Sequence, residues 1–82
     1  MKRDEIRYEV RRKYARFDPK KKETHTFTPT PVAALDIYAA RRAYETLKSA
    51  LEADPNVEIV YIFAVRISPN GRERRLLFDG SV

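Results

Sequence analysis

Ser68-Pro69-Asn70-Gly71-Arg72 separates two strand-like runs, Val57 to Ser68 and Arg72 to Phe78, and its chemistry predicts how they join. Proline presets the first turn position, asparagine tolerates the second, and glycine takes the positive φ of a bulge. The resulting hairpin opposes Ser68 to Arg72. The run before it is apolar on both sides through its middle. Val57, Ile59, Tyr61, Phe63, Val65 and Ile67 make the longer side; Val60, Ile62 and Ala64 make the shorter one, flanked by Glu58, Arg66 and Ser68. A run of this kind belongs in the centre of a sheet.

Upstream, Asp54-Pro55-Asn56 reads as a helix stop, and Thr30-Pro31 as an N-cap followed by proline at the first helical position. Between them Ala33, Ile37, Ala40, Tyr44, Leu47 and Leu51 recur at helical spacing, which predicts a helix from about Pro31 to Ala53 with this stripe on a core. Asp36 falls in its first turns, where a negative charge suits the helix dipole. Further upstream, Glu5 to Phe17 alternates as a strand, Asp18-Pro19-Lys20-Lys21-Lys22 turns the chain, and Glu23 to Thr28 returns. Pro29 and Pro31 end that pairing. The order is ββαββ. It predicts an α+β two-layer sandwich over residues 1–82 as a single domain: a four-stranded, mostly antiparallel sheet in the order 2-1-3-4, with one helix on one face.

Composition narrows the function. In 82 residues there is no cysteine and no tryptophan, so neither disulfides nor thiolate metal sites support the small core. No apolar run approaches a membrane span, and Met1-Lys2-Arg3-Asp4-Glu5 lacks the apolar segment of a signal peptide. The expectation is a soluble chain, cytoplasmic when expressed in a cell. His25 is the single histidine; it sits beside Phe27 on a strand, and Thr24 and Thr26 point to the opposite face. It therefore lacks a nucleophile, an orienting partner and co-ligands. The two glycines, Gly71 and Gly80, form no phosphate-cradling loop. The sequence points away from an enzyme, a cofactor, a metal and a small-molecule ligand.

Two apolar features exceed the needs of a one-helix core. Leu35 and Tyr38 fall away from the core stripe, near Arg42, and this grouping has the composition of an interface hot spot. If the longer side of the Val57–Ser68 strand faces the helix, Val60, Ile62 and Ala64 lie on the uncovered face, joined by Leu76 and Phe78 through the hairpin register. Such a patch calls for a protein partner or a second copy. The net charge of +5 offers another partner class, with Arg7, Arg11, Lys13, Arg66, Arg72 and Arg74 lining a sheet that binds nucleic acid. The same face assignment counts against it, because it turns Tyr8 and Tyr61 toward the helix. Basic turns at Lys20-Lys21-Lys22 also serve simply to keep edge strands unpaired.

The whole chain resembles computationally designed small α+β proteins. The stretches that carry the likeness are Phe17-Asp18-Pro19-Lys20-Lys21-Lys22-Glu23, Ala50-Leu51-Glu52-Ala53-Asp54-Pro55-Asn56-Val57-Glu58 and Ser68-Pro69-Asn70-Gly71-Arg72. It is more weakly similar to small phage-encoded inhibitors of the anti-CRISPR sort. The first resemblance implies a binder or scaffold; the second implies a compact surface that blocks a host nucleoprotein. Either way the expectation is a non-catalytic binding module using Leu35, Tyr38 and Arg42, the face of Val60, Ile62, Ala64 and Leu76, or both.

Overall fold

The computed structural model describes residues 5–78. Residues 1–4 and Gly80, on which parts of the sequence reading fall, lie outside that range. The chain forms β1 (Arg7–Asp18), β2 (Glu23–Phe27), β3 (Val32–Ala34), α1 (Ile37–Glu52), β4 (Val57–Ile67) and β5 (Glu73–Leu76). It is an α+β fold with one helix and an antiparallel sheet of five strands in the order β2-β1-β4-β5, in which β3 also pairs with β1. The four expected strands lie in the expected order, and β3 is an addition.

The prolines explain the fifth strand. Tyr14 opposes Phe27 and Val10 opposes Val32, so four steps along β1 face five along its edge. β2 and β3 are thus two halves of one edge, split where Pro29 and Pro31 have no N–H to donate. Because Val32–Ala34 is extended, the helix does not begin at Pro31. It begins at Ile37, where Asp36, in extended conformation, accepts a hydrogen bond from the Ala39 N–H at 2.8 Å. Asp36 is the cap itself, and Thr30 caps nothing. The helix ends as expected, with the Ala53 N–H donating to Ser49 and the Asp54 carboxylate accepting from the Asn56 N–H at 2.9 Å.

Both hairpins follow their turn chemistry. In the β4–β5 turn Gly71 has φ +88, its N–H donates to the Ser68 carbonyl, and the Ser68 N–H donates to Arg72. In the β1–β2 turn Asp18 accepts from the amides of Lys20, Lys21 and Lys22, and Lys22 takes φ +56.

The face of β4 turned to the helix differs from expectation. Opposed residues of an antiparallel pair share a face. Lys13 opposes Tyr61 but Tyr14 opposes Ile59, so Val60 is an extra residue and β4 changes faces there. Val10, Ala64 and Ala40 have 0% exposure, which places Ala64 and its partner Val10 beneath the helix. The Tyr44 ring meets Phe78 edge-on with centroids 5.6 Å apart, and Arg16 pairs with Asp54 just past the helix at 2.9 Å, both consistent with that side. The helix side of the sheet therefore carries Tyr8, Val10, Arg12, Tyr14 and Arg16 of β1 and Val57, Ile59, Ile62, Ala64 and Arg66 of β4. Tyr61, Phe63, Val65 and Ile67 lie on the open face. The open-face assignment of Ile62, Ala64 and Leu76 is reversed, since Leu76 opposes Ala64 and shares its side.

Candidate functional site

Two surfaces combine apolar or aromatic side chains with cations that have no ion-pair partner among the described residues. The first surrounds the helix N-terminus. Leu35 is 88% exposed, Tyr38 73% and Ile37 42%. Leu35 precedes the cap and, by the usual staple, would fold back on the fourth helical residue. That residue is Ala40, a side chain of one carbon already enclosed against the sheet, so Leu35 is left projecting. Arg42 is exposed one turn beyond Tyr38, with no described carboxylate at ion-pair distance, whereas Arg41 pairs with Glu45.

A groove runs beside this patch between α1 and β3. Ala33, Ala34, Asp36 and Ala39 line one part of it with Leu35; Val32, Ala43, Thr46 and Leu47 line the next with Arg42. Alanines on both walls keep it shallow and apolar. The strand wall is open, because β3 pairs only with β1. The groove thus offers an unpaired strand edge and an apolar floor, with Leu35 in one part and the Arg42 guanidinium in the next.

The second surface is the open sheet face. The Tyr61 and Phe63 rings lie 5.5 Å apart along central β4, and the Arg75 guanidinium stacks 4.5 Å from the Phe63 centroid. Lys13 stands opposite Tyr61, and Arg11 opposite Phe63. Arg11 is neutralised in place: it donates to Glu9 at 3.1 Å and to both carboxylate oxygens of Glu73 at 2.9 and 2.8 Å. The Glu73 hydrogen bonds hold the Arg11 guanidinium well above its ordinary pKa against an opposing cost of burial. The same bonds pull the Glu73 carboxyl below its ordinary value. This bridge crosses β4 at the level of Val65, which is 3% exposed although no helix covers it.

Of the residues singled out by sequence, the structure groups Leu35, Tyr38 and Arg42 on one exposed flank. It separates Val60 from Ile62, Ala64 and Leu76: Val60 is 57% exposed at the bulge, Ala64 is enclosed, and Ile62 and Leu76 are half-buried on the helix side. Sequence reasoning missed Ile37, placed in the core stripe by a helix started too early. It also missed β3, Tyr61, Phe63 and Arg75 as surface groups. The aspartate at 36, a residue type favoured at helix N-caps, was the available signal for the first; no residue type marks the bulge at Val60. His25 lies 3.3 Å from Glu23, exposed. Among the described residues no three His, Cys, Asp or Glu side chains gather closely enough to hold a metal ion, and no helix is long and apolar enough to cross a membrane. In comparisons with models of protein families, with curated protein sequences and with solved structures, nothing matched this chain.

Proposed function

We propose that the chain is a non-catalytic protein-binding module that takes an apolar, acid-flanked segment of a partner into the groove between α1 and β3. The observation that carries this reading is the exposure of Leu35 and Tyr38, at 88% and 73%, on a flank the fold does not use. A fold of this size gains nothing from leaving leucine and tyrosine in water, and a hot spot of aromatic, aliphatic and arginine side chains supplies a reason for them. Arg42, with no carboxylate of the described residues beside it, favours an acidic neighbour in the partner. The consistency of the turns supports a rigid scaffold presenting one surface, as in the designed proteins the sequence resembles.

The test is a photoreactive phenylalanine analogue at position 38, with a second version at Lys20 in the distant β1–β2 turn as control. The expected result is an adduct at 38 only, lost when Leu35→Glu is added, followed by at least about tenfold weaker binding of the purified partner by Tyr38→Ala. An adduct with a second copy of the chain would identify self-association as the use of the groove. Equal labelling at both positions, or unchanged affinity in Tyr38→Ala and Leu35→Glu, rejects the groove as a site.

A further inference from the structure

On the sheet face away from the helix, we infer a binding platform for single-stranded nucleic acid, formed by Tyr61, Phe63, Arg75 and Lys13. It lies apart from the groove and does not depend on it. The expectation that Tyr8 and Tyr61 both face the helix counted against nucleic acid; the bulge at Val60 turns Tyr61 to the open face, while Tyr8 stays on the helix side.

Successive bases of an unpaired strand need flat partners in a row, each with a cation nearby for the phosphate. β4 supplies the row. Tyr61 and Phe63 are alternate residues of one strand with ring centroids 5.5 Å apart, and Arg75 adds a guanidinium plane stacked on Phe63. The charges on this face sort themselves. Arg11, Glu9 and Glu73 satisfy one another. Arg7, Lys13 and Arg75 have no described carboxylate at ion-pair distance, and among the described strand residues of this face Glu58, opposite Ala15, is the unmatched acid. The cations beside the rings are thus free to meet an anion, in a chain of net charge +5. An acidic protein would also satisfy the cations, but rings at alternate positions of one strand with cations beside them match the alternating bases and phosphates of an unpaired strand. A duplex offers phosphates but keeps its base faces stacked away.

The test is fluorescence anisotropy of labelled oligothymidylate and oligouridylate, with a duplex of equal length, across a series of salt concentrations. The wild-type chain is expected to prefer single strands to duplex. Tyr61→Ala should weaken binding about tenfold, the worth of one stacked base, while Tyr61→Phe keeps the affinity. Lys13→Gln and Arg75→Gln should each flatten the logarithmic salt dependence by about 0.7, one phosphate contact apiece. Arg41→Gln, on the helix, removes the same charge and should change neither quantity appreciably. Circular dichroism confirms that each variant is folded. Duplex bound as tightly as single strand, Tyr61→Ala indistinguishable from wild type, or Arg41→Gln matching Lys13→Gln would each overturn the platform. So would the absence of saturable binding at low salt.

Discussion

Arg11 and Glu73 lie on strands that do not touch, yet they form a two-pronged ion pair at 2.9 and 2.8 Å across the intervening β4. The bridge fastens the edge strand β5 to the sheet and roofs Val65 with charged side chains where no helix does. Its pH dependence has a definite sign. The Glu73 carboxyl titrates below its ordinary value because Arg11 donates to it, so the stabilisation is fully present above the ordinary carboxylate range. It is lost as pH falls through the lowered folded value. Arg11 stays charged throughout and adds no pH dependence of its own. Denaturant melts of wild type and Glu73→Gln between pH 7 and pH 3 are expected to differ most near neutrality and to converge in acid. Parallel curves would show that the pair contributes nothing to folding.

Ala64 and Ala40 are fully enclosed, with Val10, between the helix and the sheet. Ala64→Leu should cost about 1–3 kcal/mol in urea unfolding, because the added carbons have to displace the helix. On an open face the same change would be harmless or stabilising. The measurement thus tests the face assignment directly.

The start of the helix is tested by two caps. Asp36→Ala should cost about 1 kcal/mol, since the Ala39 N–H loses its acceptor. Thr30→Ala should lie within about 0.5 kcal/mol of wild type, as expected for an exposed side chain that caps nothing. The reverse ranking by thermal or urea melts would restore a helix from Pro31.

Lys22 and Gly71 both occupy the left-handed region, at φ +56 and +88. Only glycine does so without a steric cost. Lys22→Gly is therefore expected to stabilise the chain by about 0.5–1 kcal/mol, and Gly71→Ala to destabilise it by about 1 kcal/mol or more. The space around Gly71 is open, so the second effect comes from backbone strain alone. Unfolding midpoints of the two variants moving in the same direction would contradict this.

Much of the fold was legible because its signals are local. Pro69-Asn70-Gly71 sets the last hairpin, Asp18-Pro19 the first, and Asp54-Pro55 the end of the helix, each through dihedral preferences and hydrogen bonds within a few residues. The periodicity of Ala40, Tyr44, Leu47 and Leu51 marked the helix and its inner side. The exposure of Leu35 and Tyr38 was readable for the same reason, since they depart from that stripe.

The tertiary structure alone decided the rest. Whether Val32 to Ala34 joins the helix or the sheet depends on the free edge of β1 at Tyr8 to Val10, which offers partners that lie far away in sequence. Which side of β4 meets the helix depends on a single unopposed residue, Val60, in a strand apolar on both sides. Side chains of period two reverse faces with every one-residue slip, and here composition expresses no preference between them. The hairpins and the helix stripe were written in local chemistry. The face on which Tyr61 and Phe63 stand, and the groove beside β3, exist only because distant strands paired in one register.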